Sequence, residues 1–349
     1  MTHEYERVVT PAGGLCLHLN ENTAGCSPRV IDALRAFTRE QAAFYPDYDA
    51  PIAATARWLN VAPDQLLLTN GLDEGILAAS IAALRGSPAG DPFEAIVVVP
   101  AFDMYAACAD AAGGRIVEVS LGRDFSFPLD RVLAAVTDRT RLVFLTNPNN
   151  PTGQPIAPAA IRAVASAAPR ATVLLDEAYA DFSGTTFIEP NAFERLPQVI
   201  VGRTFAKAHG LAGLRVGALV GAPGRLAVLR RVVPPYSLNA CAAAALPAAL
   251  EDRDYFDAYV AQVTESREMF YAAFDRLGVK YWRSAANFVL ASFGDRCDST
   301  IAGLAARRIH VRDRSGDTGC GGCVRITAGV TEHTRAAIAA IEEVLCDAP

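Results

Sequence analysis

From about residue 64 onward, short apolar runs alternate with stretches whose apolar residues recur at helical spacing. The runs at 66–69, 95–99, 116–121, 141–146, 172–175, 199–204 and 216–220 are bounded by Gly, Pro, Asn or Asp, and most are rich in β-branched residues, as strands are. They stay apolar at consecutive positions instead of alternating with polar residues. Strands of that kind, separated by helical patterns such as 73–84 and 102–112, predict a mainly parallel sheet with helices on both faces. Helical patterns follow at 237–250 and 254–277, the second long enough to join two domains. The rest of the chain carries strand-like runs near 287–293, 309–312 and 324–327 and helical stretches at 299–308 and 331–346. That reads as a smaller α+β domain. The Ala-rich run 241–250 predicts a close-packed helix.

Composition narrows the function classes. A chain of 349 residues is long enough for two domains that share an interface, and 51% hydrophobic with 20% charged residues is a globular balance. The net charge of -6 gives no basic footprint for nucleic acid and no polybasic membrane patch. The two longest uncharged runs, 142–161 and 232–250, are each interrupted by prolines and asparagine, so neither reads as a membrane span. The N-terminal stretch 1–7 is acidic and polar and has no signal-peptide pattern. Eight cysteines without an export signal read as reduced thiols, which predicts a cytoplasmic protein.

One count changes the picture more than these. Only two of the 32 basic residues are lysines, Lys207 and Lys280, and the other 30 are arginines. A guanidinium stays protonated, whereas an amine can lose its proton and attack a carbonyl. Lys280 follows a long helical pattern and reads as a solvated turn residue. Lys207 follows a buried strand, among small and apolar neighbours. Ligands in an open parallel sheet bind at the carboxyl ends of the strands, so the residues just after each strand carry the candidate chemistry. They are Asn70-Gly-Leu-Asp-Glu-Gly75 with a helix start, Phe102 in Pro100-Ala-Phe-Asp-Met-Tyr105, the amide-rich Asn147-Pro-Asn-Asn-Pro-Thr-Gly153, Asp176-Glu-Ala-Tyr179, then Lys207 and Arg215. Singly each has a bland explanation as a cap, a turn or core. Jointly they supply phosphate donors, a ring platform, an amide, a carboxylate with a phenol, and an amine. That set meets the needs of pyridoxal 5′-phosphate. No Walker motif or dinucleotide fingerprint is present, and Cys320-Gly-Gly-Cys323 lacks the second pair a zinc site would need.

In its motifs the chain resembles the fold-type I pyridoxal-phosphate aminotransferases, and within them the histidinol-phosphate aminotransferase group. The resemblance runs from about Leu17 to Leu345. It rests on Leu19-Asn-Glu-Asn22, Tyr45-Pro-Asp47, Thr69 to Gly75, Pro148 to Gly153, Asp176 to Tyr179, Arg203 to Lys207, Gly210 to Arg215, Val311-Arg-Asp313 and Val324 to Gly329. It implies an aspartate aminotransferase-like α/β fold, with a large cofactor domain over 45–250 and a small domain built from 1–44 and 251–349. Lys207 would be the Schiff-base lysine and the base that moves the proton from Cα. Asp176 would pair with the pyridine nitrogen, Asn150 and Tyr179 would hold the phenolate oxygen, and Phe102 would stack on the ring. Leu72, Asp73, Thr204 and Arg215 would bind the phosphate, completed by Tyr45 from a neighbouring subunit, which implies a homodimer. Arg312 and Arg325 would grip an anionic group of the substrate, either carboxylate or phosphate. No metal is implied.

The reaction implied is transamination, with histidinol phosphate as donor and 2-oxoglutarate as acceptor. Another amino acid as donor, a different pyridoxal-phosphate reaction such as decarboxylation of an amino-acid phosphate, and a catalytically silent module of the same fold are the rival readings. Three departures bear on the choice. Ala206 stands where the family usually has serine, Phe102 where it has tyrosine, and Thr23 where it has proline.

Overall fold

Alternate residues of the central strands enter two different cores, which is what a sheet covered on both faces requires. Val143 and Leu145 pack on one side and Leu142 and Phe144 on the other, and Val199 and Val201 are likewise opposed by Ile200. The structure, a computed structural model, describes residues 13–347, so the N-terminal stretch 1–7 lies outside the described residues.

The strands in chain order are β1 (Leu15–Cys16), β2 (Leu66–Thr69), β3 (Glu94–Val99), β4 (Arg115–Ser120), β5 (Thr140–Thr146), β6 (Thr172–Asp176), β7 (Val199–Thr204), β8 (Gly217–Gly221), β9 (Lys280–Trp282), β10 (Phe288–Ser292), β11 (Ile309–His310), β12 (Arg312–Asp313) and β13 (Cys323–Thr327). The helices used below are α1 (Pro28–Arg35), α2 (Asp49–Leu59), α3 (Leu72–Leu84), α4 (Met104–Ala111), α5 (Ala240–Glu251), α6 (Arg253–Leu277), α7 (Cys297–Ala306) and α8 (Thr331–Asp347).

The large sheet has seven strands in the order β2-β8-β7-β6-β5-β3-β4. All neighbours run parallel except β8, which is antiparallel to both β2 and β7. The register sets Thr146 beside Asp176 and Asp176 beside Gly202, so three strand ends meet at one edge. At Gly202 a Cβ would lie 2.7 Å from Leu72 Cδ1 at the start of α3, so a larger residue there would push that leucine aside. The absence of that side chain lets the helix seat on the sheet with its N-terminus at the edge.

The Ala-rich α5 packs against α1 and α2, as its composition predicts. Asn239 caps it by accepting the Ala242 N–H at 2.8 Å. Helix α6 ends at Gly278 in the left-handed region (φ 66°). Its apolar face, Phe256, Tyr259, Val263, Phe270 and Phe274, is buried in a second core shared with Tyr179, Phe182 and the small sheet. That sheet is antiparallel, in the order β12-β13-β10-β9, with α7 and α8 packed in the same core. The N-terminal segment divides its packing. β1 pairs with β11 beside the small sheet, while Val30 on α1 is buried in the larger core.

Two local expectations are corrected. The run 309–312 is two strands, one pairing with β1 and the other with β13. Lys280 opens strand β9 instead of standing in a turn, and its amine lies 4.8 Å from the centre of the Trp282 ring. Edge strands commonly carry such an exposed lysine.

Close to Lys207, His209 is buried where the two cores meet. Trp58, Phe205 and Phe256 surround it with ring centres at 5.0, 5.3 and 4.9 Å, and neither ring nitrogen has a partner. Burial holds its proton affinity down, to a pKa of about 4. The unfolded chain binds the proton near pH 6.5. The stability that neutral His209 contributes is therefore complete above pH 6.5 and is lost as pH falls towards 4. Urea unfolding of the wild type and His209→Phe should diverge by about 3 kcal/mol between pH 7 and pH 4, with the variant keeping more of its stability. A difference that stays constant with pH would contradict this.

Candidate active site

A cleft of about 620 Å³ opens at the carboxyl edge of the large sheet, between it and the small domain. Of the residues predicted from sequence, Leu72, Asp73, Phe102, Asn150, Asp176, Tyr179, Thr204, Lys207, Arg215, Arg312 and Arg325 all line it. Tyr45 does not. Its ring is 79% exposed and stacks on Tyr236 at 4.3 Å, outside this cleft.

Lys207 is carried on the turn after β7, and its amine donates to the Leu19 carbonyl at 2.9 Å. Burial, reinforced by the Arg325 guanidinium, pulls its pKa down to about 8. A useful fraction of an amine so placed is uncharged near neutral pH, as a nucleophile requires.

Asp176 ends β6. Its Oδ1 accepts the Ala178 N–H at 2.8 Å and its Oδ2 accepts the Tyr105 phenol at 2.6 Å. Burial pushes the carboxyl up to about 6, and those two donors restrain the rise. The next residue, Glu177, points into the protein. It accepts Phe187 N–H at 2.6 Å and pairs with Arg203 at 3.5 Å, and Arg203 also pairs with Asp181. This buried ion group ties the loop after β6 to β7, which fixes Asp176 and Tyr179 relative to Lys207.

The amide-rich turn separates into two roles. Asn147 Oδ1 accepts the Ile156 N–H at 2.8 Å and Asn149 donates to Thr152 Oγ1 at 2.9 Å, so both build the turn. Asn150 Oδ1 accepts from Arg325, which turns its amide nitrogen free to donate into the cleft. Likewise Asn20 donates to the Tyr179 oxygen at 3.1 Å, leaving the phenol proton available to another acceptor.

At the other end, α3 starts at Gly71 (φ 79°) with no side-chain cap, so its first N–H groups are unpaired by a capping side chain. A Cβ at Gly71 would lie 2.6 Å from the Arg215 guanidinium, and Arg215 also pairs with Asp73 at 2.7 Å. Unpaired helix N–H groups, Thr204 and Arg215 make an anion cradle of phosphate type. Ala206, on the same wall, offers no hydroxyl. With a cradle at one end, a buried carboxylate at the other, a lysine between and Phe102 at the side, the residues fit pyridoxal phosphate. Asp176 would face the ring nitrogen, Asn150 and Tyr179 the phenolate oxygen, and the cradle the phosphate.

Among the lining residues missed from sequence are Tyr105, Asn20 and Arg314. Tyr105 was visible only as a ring near the sheet edge, because its phenol direction depends on how α4 begins. Asn20 lay inside a quoted motif without a role. Arg314 had a signal in the chain, since it stands two residues after Arg312 and so on the same side of an extended segment. It continues the ladder by donating its N–H to the Cys323 carbonyl at 3.0 Å. Its guanidinium is buried, pairs with Asp317 and lies 3.9 Å from Asp103 on the large domain, while its Nε has no partner. Cys320 and Cys323 are buried against Phe125 and Leu290, outside the cleft. Among the described residues no group of three or more His, Cys, Asp or Glu is placed to hold a metal, and no helix is long and apolar enough to cross a membrane.

The chain is similar to known proteins over most of its length. Histidinol-phosphate aminotransferase of Symbiobacterium thermophilum is 35% identical over 333 residues, covering 94% of this chain and 90% of the relative. The crystal structure of histidinol-phosphate aminotransferase from Sinorhizobium meliloti in complex with pyridoxal-5′-phosphate superposes with a TM-score of 0.84 at 25% identity, over 96% of this chain and 92% of that one. Aspartate aminotransferase from Thermus thermophilus shares the fold, with a TM-score of 0.78 at 22% identity over 95% and 91% of the two chains. Residues 13–341 match the family described as aminotransferase class I and II. The chain is a member of the class I and II aminotransferases.

Proposed function

We propose that the chain moves an amino group from histidinol phosphate to 2-oxoglutarate, with pyridoxal phosphate held at Lys207 and Asp176. One observation carries the choice of donor. Arg312, Arg314 and Arg325 all line the small-domain wall of the cleft that holds Lys207. The ladder sets Arg312 directly opposite Arg325, and Arg314 follows two residues on. Three guanidiniums exceed what one carboxylate needs and suit a phosphate, which offers more acceptor oxygens and up to two charges. The buried Nε atoms of Arg314 and Arg325 have no hydrogen-bond partner among the described residues. Glu21, on the same cleft, offers an acceptor for an imidazole N–H.

Bound pyridoxal phosphate supplies an aldehyde for imine exchange and a ring that takes up the electron pair when the Cα–H bond breaks. The protein's part is positioning and proton handling. Lys207, as an uncharged amine, would be placed to take up the donor's Cα proton and to return it. Asp176 holds a proton on the ring nitrogen by charge. Asn150 and Tyr179, pre-oriented by Arg325 and Asn20, donate to the phenolate oxygen. The arginine wall holds the donor's phosphate, and in the second half-reaction it holds a carboxylate of the 2-oxo acid.

The chain is proposed to act as a homodimer in which the exposed Tyr45 reaches the neighbouring subunit's phosphate cradle. The same reading assigns 45–250 to cofactor binding and the parts from 1–44 and 251–349 to closing over the substrate, with α1 packed on the larger core.

Lys207→Arg should abolish turnover in a coupled glutamate assay, because a guanidinium forms no imine, while Lys280→Arg should retain it. Activity in the first variant, or its loss in the second, would move the catalytic amine elsewhere. Asp176→Asn should bind cofactor yet lower kcat by roughly 10²–10³, the scale of a lost electrostatic partner. A kcat near that of the wild type would separate Asp176 from the ring nitrogen. The donor itself is tested by Arg312→Ala and Arg314→Ala. Each should weaken histidinol phosphate by about 2–5 kcal/mol, or roughly 30-fold or more in KM, and weaken phenylalanine far less. A larger loss on phenylalanine, whose anionic group is a carboxylate, would place the arginines on a carboxylate and favour an ordinary amino acid as substrate.

A further inference from the structure

Tyr105 lines the cleft yet is almost wholly buried, and it makes the shortest contact to the carboxylate that would anchor the cofactor ring. It is 1% exposed, and its phenol donates to Asp176 Oδ2 at 2.6 Å. The Thr146 hydroxyl donates to the same phenol oxygen at 3.0 Å. A phenol has a single proton, so a donor arriving at its oxygen leaves that proton committed to Asp176. The ring is clamped by stacking on Phe144 at 4.8 Å and by the edge of Phe102 at 5.8 Å. Three elements thus converge on one hydrogen bond: α4 supplies Tyr105, β5 supplies Thr146 and Phe144, and β6 supplies Asp176.

We propose that Tyr105 is a positioning residue, whose phenol keeps the Asp176 carboxylate ionised and aimed at the ring nitrogen of the cofactor. The need for such a donor follows from the burial of Asp176. Loss of water favours the neutral acid, and Asp73 on α3 adds repulsion in the same direction. Against these stand the Tyr105 phenol, the Ala178 N–H and the Lys207 amine. Tyr179, the other phenol near this carboxylate, donates nothing to it and is engaged with Asn20. Burial raises the Tyr105 phenol well above its ordinary range, so it remains a donor at every pH at which the enzyme works. A neutral acid at 176 could not hold a proton on the pyridine nitrogen by charge. Tyr105 would therefore set the protonation state of the ring without touching it. The inference rests on Asp176 facing that nitrogen.

The test compares wild type, Tyr105→Phe and Thr146→Val in their full-length, cofactor-loaded form. Phenylalanine keeps the stacked ring and removes only the donor, while valine removes the hydroxyl that orients the phenol. The first readout is the nitrogen-15 chemical shift of ring-labelled pyridoxal phosphate followed against pH. The ring nitrogen of Tyr105→Phe should lose its proton at a pH about one to two units lower than in the wild type. Thr146→Val should move it the same way by less. The second readout is the dissociation constant of pyridoxal phosphate and of its analogue with carbon in place of the ring nitrogen. Tyr105→Phe should weaken the natural cofactor by about 10-fold or more and leave the analogue unchanged. Equal weakening of both ligands, with an unmoved nitrogen titration, would mean that Tyr105 only packs, and the proposal would fall. A wild type that binds the two ligands equally would show instead that Asp176 does not engage the nitrogen, which removes the premise.

Discussion

An amine that must attack a carbonyl has to be kept short of water, and the arrangement of this cleft follows from that constraint. Lys207 is seated on the turn between β7 and the segment leading to β8, with its one hydrogen bond to the Leu19 carbonyl. Burial and the nearby Arg325 lower its hold on the proton. The same low-polarity floor raises the cost of every other charge placed there, so each charged or polar group carries its own partners. Arg325 gives one donor to Asn150 and one to the His18 carbonyl. Asp176 has the Ala178 N–H and the Tyr105 phenol. Partnering of this kind is what allows buried polar groups to be stable and sharply oriented at once.

Orientation is passed outward from residue to residue. Asn150 presents its nitrogen to the cleft because Arg325 occupies its oxygen. Tyr179 presents its proton because Asn20 donates to its oxygen. Asn20 is itself held, with its N–H on Thr327 Oγ1 at 3.1 Å and its carbonyl accepting from Asn287 at 3.0 Å. Strand β13 and the residue just before β10 thus help to fix groups at the edge of the large sheet. The cleft is built jointly by the two cores, and neither half holds a complete site.

How much of this was legible in the chain depends on the kind of signal. The seven strands of the large sheet could be placed to within a residue or two, since buried parallel strands leave continuous apolar runs. The strand ends then named most of the residues that meet in the cleft, because a parallel sheet brings its carboxyl ends to one edge. Composition singled out two lysines, and the buried strand before Lys207 separated it from Lys280. The helices at 28–35 and 49–59 left no comparable trace: the first is a short surface helix with a single fully buried residue, and the second is interrupted by small residues and proline. The run 309–312 split because Ile309 and Arg312 pair with different partners, a tertiary fact with no local mark. Tyr105, Asn20 and Arg314 were missed for one reason. Their roles lie in which atom of a neighbour they meet, and neither periodicity nor spacing encodes that, apart from the two-residue step from Arg312 to Arg314.

The central claim is that this cleft carries out both halves of a transamination with histidinol phosphate as donor. The most direct measurement is the absorbance of the purified protein loaded with pyridoxal phosphate. Histidinol phosphate alone should bleach the yellow band stoichiometrically, and 2-oxoglutarate added afterwards should restore it. A band that histidinol phosphate leaves unchanged, or one that bleaches and does not return with the 2-oxo acid, would contradict the account.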